Sequence, residues 1–208
     1  KSGTLLPSAA EAMGIYDNLT SIPVFCAGPD FTSALIGTNT LTPGTICDRT
    51  GSSEGFNLCT ENPLLSNNIR NLPSVIYPLM NASIMIPDSG IRFSNVKKTT
   101  AFASSSYEDY VSFLLHNRRE KGYKQMIELA QECERALSTL LLAHNKKIER
   151  RVTVTGGQAR NSLWLQVKAN IMDAAIDIPS CSDAELIGNA AVAFYGLNFY
   201  PDLTSSAS

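Results

Sequence analysis

The sequence predicts one α/β domain in which helices flank a mixed β-sheet. Short apolar and β-branched runs dominate the first half of the chain, long helical patterns occupy residues 106–145, and two strand–helix units come after them. Antiparallel strands followed by strand–helix units are typical of a sheet that contains both strand orientations. The chain has 208 residues, of which 44% are hydrophobic and 17% charged, so it has enough apolar side chains for one large core.

The composition excludes several classes of function. The formal net charge of -2 and the lack of a long basic run argue against nucleic-acid binding. No apolar stretch reaches the ~20 residues of a membrane span, and the N-terminus carries no secretory signal pattern. The five cysteines are widely spaced without a C-x-x-C pair, which indicates buried thiols of a reducing compartment and a cytoplasmic protein. Neither histidine has a second ligand nearby in sequence, so we expect no metal site built from side chains.

The first residues predict a short helix after Pro7. Ser8 is the expected N-cap, Glu11 completes a capping-box pattern, and Gly14 ends the helix. The first residue is Lys rather than Met, so we expect the chain to be a piece of a longer protein.

An aspartate follows the first strongly apolar run. Residues 22–27 predict a buried strand, and Gly28 and Pro29 lead from it to Asp30 and a helical pattern over 31–37. Asp30 has two interpretations. It caps the helix by accepting from N–H groups of the first turn, which its position alone favours, or it takes a proton from an alcohol at a cleft floor.

A hairpin comes next. Residues 45–50 and 56–60 alternate as strands do, and residues 51–55, with the sequence GSSEG, connect them. The connection is either an ordinary turn or a phosphate contact, in which backbone N–H groups and a hydroxyl meet a phosphoryl oxygen. Residues 61–73 are polar and predict an exposed loop.

The remaining elements follow from hydrophobic periodicity. Residues 75–77 and 82–86 predict strands, and a helix is expected to start near Gly90 with Asp88 or Ser89 as its cap. Helices are then expected over 106–117, 121–145, 162–171 and 184–194, with strands at 152–154 and at the sheet edge over 177–179. The domain is expected to span 1–200, and residues 201–208 predict a disordered tail.

Gly156 and Gly157 lie between the strand at 152–154 and the helix that begins near 162. A strand, a glycine turn and a helix N-terminus let the backbone approach a flat or anionic ligand closely, because glycine has no Cβ. A tight β–α turn without a ligand would give the same pattern, and these residues alone favour that interpretation.

Five segments in one order resemble the C-terminal half of the FGGY carbohydrate kinases, the family of glycerol kinase and xylulokinase. They are residues 3–14 (GTLLPSAAEAMG), 23–30 (PVFCAGPD), 51–55 (GSSEG), 155–164 (TGGQARNSLW) and 185–191 (ELIGNAA). Each segment alone is a weak signal, but the five together extend the resemblance from Gly3 to about Leu197.

The resemblance implies a ribonuclease-H-like, actin-like ATPase fold and transfer of the γ-phosphoryl of ATP, with Mg²⁺, to a sugar or polyol hydroxyl. Asp30 occupies the position of the family's catalytic base. By the same correspondence, seven residues would bind the nucleotide: Gly51 and Ser52 at its phosphates, Gly156 and Gly157 against the adenosine, Asn161 near the base, and, in a looser alignment, Gly90 and Ser94 on the other side.

Two departures bear on the acceptor. Pro29 and Phe31 flank Asp30 where the family has Gly and usually Gln or Asn, and the G-E-R-x-P segment of many xylulokinase-like members is missing.

The N-terminal domain that supplies most sugar contacts and the D-x-G-T phosphate loop is not in this chain, so the isolated chain is expected to be inactive. The alternative is a non-catalytic, actin-like nucleotide-binding or interaction module. Expected partners are ATP, a small sugar or polyol, the missing N-terminal domain and, as one option, a second copy in a homodimer.

Overall fold

The computed structural model describes residues 2–15 and 22–207. The strands of this part are β1 (Gly3–Thr4), β2 (Pro23–Val24), β3 (Ile46–Thr50), β4 (Glu54–Thr60), β5 (Arg70–Pro73), β6 (Met80–Ile86), β7 (Arg151–Gly156) and β8 (Ala175–Asp177). The α-helices are α1 (Pro7–Ala12), α2 (Asp30–Gly37), α3 (Ser89–Lys98), α4 (Tyr107–His116), α5 (Lys121–His144), α6 (Ser162–Met172), α7 (Ala184–Gly196) and α8 (Leu203–Ser206), and Gly157–Arg160 form a 3-10 turn.

Six strands form one mixed sheet in the order β5-β6-β4-β3-β7-β8. The pairs from β5 to β3 are antiparallel, whereas β3 with β7 and β7 with β8 are parallel. The mixed sheet predicted from the sequence is therefore confirmed. The order places β3 and β7 side by side, so the loops that follow these two parallel strands lie next to each other.

The side chains of β3 point alternately to the two faces of the sheet, and each face packs against different helices. Ile46 packs in the cluster that contains the buried face of α5, and Asp48 contacts Lys168 of α6. Side chains of odd number face the other way, and Arg49 lies against Phe31 of α2. Helices α5 and α6 thus cover one face of the sheet, while α2 and α7 pack together over the other.

The helices α4, α5 and α7 and the hairpin of β3 and β4 lie where the periodicity predicts them. Helix α5 buries the stripe expected for it, which includes Met126, Ala130 and Cys133. It has 24 residues, but its other face is polar. Within residues 2–15 and 22–207, no helix is both long and apolar enough to cross a bilayer.

The structure corrects the predictions at the N-terminus. Leu6 precedes α1 with Pro7 at its first position, and Ser8 lies inside the helix rather than capping it. Residues 22–27 do not form a buried strand: only Pro23 and Val24 pair, with β1, and Val24 is 39% exposed. Cys26 is likewise exposed, although Cys47, Cys59 and Cys133 are buried as expected.

Further corrections concern the edges of the sheet and the C-terminus. The predicted loop 61–73 contains the edge strand β5, and the predicted strand 75–77 is a bend. The edge strand expected at 177–179 is β8, two residues earlier. Where we expected a disordered tail, α8 forms one turn whose Leu203 packs with Ile36 and Ala191. Residues 1 and 16–21 of the expected domain and residue 208 of the expected tail lie outside the described residues.

The close approach of α2 and α7 depends on two glycines. A Cβ at Gly188 would lie 1.8 Å from the backbone oxygen of Ser33, and one at Gly37 would lie 1.9 Å from that of Ala184. Neither contact can be relieved by rotating a side chain, because the opposing atoms belong to the backbone. The small residues that the sequence places in α7 therefore serve helix packing.

We predict that Gly188→Ala lowers the free energy of unfolding by about 1–3 kcal/mol, because the added methyl group forces the two helices apart. Gly3→Ala is the matched control, since a Cβ there meets nothing within 4 Å. Urea denaturation of both purified variants measures the difference. Equal stability of the two variants would show that α2 and α7 are not packed as described.

Candidate functional site

The turn between β3 and β4 is held by the N-terminus of α3. The backbone N–H groups of Gly90 and Ile91 donate to the Ser52 carbonyl over 3.1 and 3.3 Å. The Asp88 N–H donates to the Ser53 hydroxyl over 2.9 Å. A Cβ at Gly90 would lie 2.1 Å from the Gly51 oxygen, so this approach requires glycine. The start of α3 therefore fixes the shape of the turn.

The loop after β7 packs against the end of β3 in a similar way. Gly156 has a φ of +89°, which side-chain-bearing residues rarely adopt, and a Cβ there would lie 2.0 Å from the Thr50 oxygen. The Thr50 hydroxyl donates to the Thr155 carbonyl over 2.6 Å and accepts from the Gln158 N–H over 3.1 Å. The two loops that follow the parallel strands are thus locked side by side.

A cavity of about 240 Å³ opens beside these loops on the side of α3, α4 and α6. We call it the apolar cavity. Phe93, Tyr107 and Trp164 contribute aromatic rings, and Phe93 stacks on Trp164 with centroids 6.1 Å apart and planes 16° apart. The Trp164 indole N–H donates to the Gln158 side-chain oxygen. The complete lining is Gly51, Glu54, Ser89, Gly90, Phe93, Tyr107, Leu129, Gly157, Gln158, Asn161 and Trp164.

A second cavity of about 320 Å³ lies on the other side of the turn and is lined by polar groups. We call it the polar cavity. Its lining includes Asp30, Arg49, Ser52 and Glu185. Gly51 and Glu54 border both cavities, so the turn separates an apolar compartment from a charged one.

Asp30 is not the predicted N-cap, but it lies at the start of α2 and at the polar cavity. It is the first residue of α2, with Pro29 in the capping position. Its carboxylate accepts from the Phe31 N–H over 2.6 Å, and the exposed side chain lines the polar cavity. A carboxylate at a helix N-terminus is stabilised by the free N–H groups and the helix dipole. The same residue is open to a ligand in the cavity.

The structure gathers most of the predicted site residues around the turn. Gly51, Gly90, Gly157 and Asn161 line the apolar cavity. The polar cavity is lined by Asp30, Ser52 and Gly156, and by Gly51 again. Ser94 is the exception: it lies in α3 but lines neither cavity. Seven of the eight predicted site residues, from Asp30 to Asn161, thus line one or both of the two cavities.

The Asn161 side chain has a local structural function. Its oxygen accepts from the Trp164 N–H over 3.0 Å and so caps α6. Asn161 is only 7% exposed, although it borders the apolar cavity. The cap fixes the helix that carries Trp164 into the cavity wall.

A fully buried charge cluster lies beneath the turn, and the sequence reasoning missed it. The Lys168 ammonium donates to an oxygen of Asp48 and, over 2.6 Å, to an oxygen of Glu54. The Cys133 thiol donates to the other Glu54 oxygen over 3.6 Å. The helical period offered one signal, because Lys168 follows Trp164 by four residues and so lies on a face that was predicted to be apolar.

In this cluster, burial and the neighbouring opposite charges shift the pKa values of Asp48 and Lys168 in opposite directions. Burial raises the pKa of Asp48 to about 7, although the adjacent Lys168 ammonium opposes the rise. Burial lowers the pKa of Lys168, but the Asp48 and Glu54 carboxylates outweigh it and hold that pKa well above its usual range. Two carboxylates share one ammonium, and the second Asp48 oxygen has no hydrogen-bond partner. Among the described residues, no group of three or more His, Cys, Asp or Glu could hold a metal ion.

A family model matches part of the second half of the chain. Residues 121–197 match the model of the FGGY family of carbohydrate kinases, C-terminal domain. L-fuculokinase from Haemophilus influenzae is 27% identical over 114 residues, which are 54% of this chain and 21% of that protein. The matched family segment contains two of the five resembling segments, 155–164 and 185–191.

Solved structures extend the similarity to nearly all of the chain. Xylulose kinase from Rhodospirillum rubrum matches with a TM-score of 0.76 at 12% identity, over 99% of this chain and 48% of that one. Plasmodium falciparum glycerol kinase, solved with ADP, matches with a TM-score of 0.77 at 14% identity, over 93% and 46%. The chain spans about half the length of these kinases. The comparisons confirm the resemblance to the C-terminal domain of FGGY carbohydrate kinases and the actin-like ATPase fold that it implies.

We predict a specific pH dependence of stability from Asp48. Between about pH 4 and 7 the folded state holds a proton on Asp48 that the unfolded state has released, because the pKa rises from 3.8 to about 7 on folding. The contribution of Asp48 to the free energy of unfolding therefore falls as pH rises through that interval, by at most about 1.4 kcal/mol per pH unit. Above about pH 7 it is constant.

Denaturant titrations of the unchanged chain and of Asp48→Asn across this interval measure the effect. The unfolding free energy of the unchanged chain minus that of Asp48→Asn should decrease with rising pH and then level off. Asp177→Asn, which alters a surface pair with Arg151, is the control and should show no such trend. A difference for Asp48→Asn that does not vary with pH would contradict the account of the cluster.

Proposed function

Because the chain resembles the C-terminal domain of the FGGY carbohydrate kinases, we propose that it forms the nucleotide-side half of an ATP-dependent sugar or polyol kinase. The observation that carries this proposal is the pair of cavities that meet at the turn bordered by Gly51 and Glu54. An apolar compartment on one side suits a base and ribose. A polar compartment on the other side, with a carboxylate at its edge, suits phosphates and an alcohol.

The apolar cavity would hold the adenosine. Its stacked rings of Phe93 and Trp164 offer a flat apolar wall, and Gly157 leaves space in the lining because a Cβ there meets nothing within 4 Å. The Asn161 and Gln158 side chains add polar groups at the same cavity. The glycerol kinase that shares this fold was solved with ADP, which supports nucleotide binding by such a domain.

The phosphates would then cross the turn. Gly51 borders both cavities, and the next residue, Ser52, lines the polar one, so an adenosine in the apolar cavity would lead its phosphates over them towards Asp30. Gly156 lines the same path from the loop after β7. Mg²⁺ is part of the substrate in this proposal: bound to ATP, it would neutralise charge that develops on the phosphoryl oxygens.

Asp30 would act as the general base. As the acceptor hydroxyl oxygen attacks the γ-phosphorus, its proton passes to the Asp30 carboxylate, and the bond between that phosphorus and the bridging oxygen of ADP breaks. The carboxylate is exposed at the polar cavity and already oriented by the Phe31 N–H. The acceptor would be held mainly by the partner domain, so the two halves together would align the reacting atoms.

We predict that Gly157→Val weakens nucleotide binding without loss of stability. The side chain would enter the space in the apolar cavity and exclude the adenosine, so affinity for ADP should fall by at least about tenfold. Gly3→Val is the matched control, because a Cβ at Gly3 also meets nothing within 4 Å, while Gly3 lies in β1 and lines neither cavity. Calorimetric titration with ADP, together with a thermal melt, tests this. Undiminished binding by Gly157→Val would place the nucleotide elsewhere.

The kinase assay uses the complete protein to which this chain belongs, with Mg·ATP and a panel of pentuloses, hexuloses and polyols. We expect one class of acceptor to be phosphorylated, and Asp30→Asn to lower kcat by about 10²–10⁴-fold, the contribution typical of a general base, while ADP binding is kept. The isolated chain should show negligible turnover. A complete protein that binds ATP but phosphorylates no acceptor would support a non-catalytic nucleotide-binding module instead.

A further inference from the structure

Arg49 is a cation without an anionic partner at the polar cavity. It stands on β3 between Gly55 of β4 and Thr155 of β7, and its side chain lines the cavity. Within residues 2–15 and 22–207, no carboxylate lies within 4.0 Å of its guanidinium nitrogens. Its Nε is buried and has no hydrogen-bond partner. An arginine in this condition is unusual, because a buried N–H group is costly to leave unpaired.

Two neighbours hold the guanidinium at this position. Its central carbon lies 5.9 Å from the centroid of the Phe31 ring, within the range of a cation–π contact. Gly55 lies opposite, at a distance where a Cβ would be 3.6 Å from an Arg49 terminal nitrogen, an ordinary van der Waals contact. The contact with Phe31 therefore places the arginine in the cavity that Asp30 also lines. Phe31 is also a position where this chain departs from the FGGY pattern.

An anionic ligand in the polar cavity needs a cation close to it, because the charged side chains there are mostly acidic. Three of its lining residues are acidic, namely Asp30, Glu54 and Glu185. Lys168 already neutralises Glu54, whereas Arg49 is the one Lys or Arg among the described lining residues. A phosphoryl group that entered beside Asp30 would face like charge, unless an unpaired cation were close. The planar guanidinium is suited to pair with two phosphoryl oxygens at once.

We propose that Arg49 binds the γ-phosphoryl group of ATP, an inference that rests on the proposed kinase function. The polar cavity also holds Asp30, which would meet the acceptor hydroxyl, so the anion between them is the group that is transferred. Arg49 would then neutralise that group next to the acidic base, and the ADP portion would bind without it. Arg49 lies outside the five resembling segments, so the resemblance assigns it no role.

The test compares two ligands on the 208-residue chain, each with Mg²⁺: ADP and the non-hydrolysable β,γ-imido analogue of ATP. Arg49→Met removes the charge but keeps most of the length that packs on Phe31. Its affinity for the triphosphate analogue should fall by about 10- to 100-fold, the effect expected for loss of a charge-assisted contact, while its affinity for ADP stays within about twofold. Arg49→Lys should recover part of the loss, because it restores the charge without the bidentate geometry.

Arg70→Ala is the control, since Arg70 is exposed on the edge strand β5 and lines neither cavity. If the unchanged chain binds both ligands and Arg49→Met binds the analogue equally well, the assignment of Arg49 is overturned but the nucleotide site stands. Equal losses for ADP and the analogue would also overturn it, because the residue would then support the site as a whole. If the unchanged chain binds neither ligand, the proposed function itself fails, and Arg49 loses its role with it.

Discussion

The contact of one ammonium with two carboxylates under the turn between β3 and β4 orders the rest of the site. Asp48 precedes the turn, Glu54 follows it, and Lys168 of α6 joins them with all three side chains essentially inaccessible to solvent. Removal of such charges from water costs several kcal/mol for each ion, so the cluster is weak evidence for net stability. The cluster nevertheless opposes displacement of the turn, because any shift would leave a buried carboxylate without its cation. We therefore assign it to the geometry of the turn rather than to the strength of the fold.

Close backbone contacts complete that geometry. The start of α3 packs closely against the turn at Gly90, and the loop after β7 packs closely against the end of β3 at Gly156. Both contacts join loops that a parallel β3–β7 pair places at the same edge of the sheet. Charge below the turn and glycine contacts around it leave Gly51 facing both cavities and Ser52 facing the polar one. In the proposed kinase, this rigid turn separates the adenosine from the transferred phosphoryl group.

The sequence predicted the elements whose side chains repeat with a clear period. Helix α5 and the hairpin of β3 and β4 followed from such patterns, and the family resemblance located Asp30 and the glycines that meet in the groove. Prediction failed where contacts distant in sequence decide the structure. Val24 is apolar yet exposed on a two-residue strand. The strand β5, with the sequence RNLP in a mostly polar stretch, forms at the sheet edge because β6 pairs with it. The pairing of Lys168 with Asp48 spans 120 positions and leaves no local signal except a lysine on an apolar helix face.

The central claim is that the two cavities form one nucleotide groove that crosses the turn at Gly51. A crystal structure of the chain with ADP and Mg²⁺ tests it most directly. The account predicts the adenine in the apolar cavity against Phe93 and Trp164, with the diphosphate over Gly51 and Ser52 and directed towards Asp30. A nucleotide bound elsewhere on the chain, or one whose phosphates point away from the polar cavity, would contradict it.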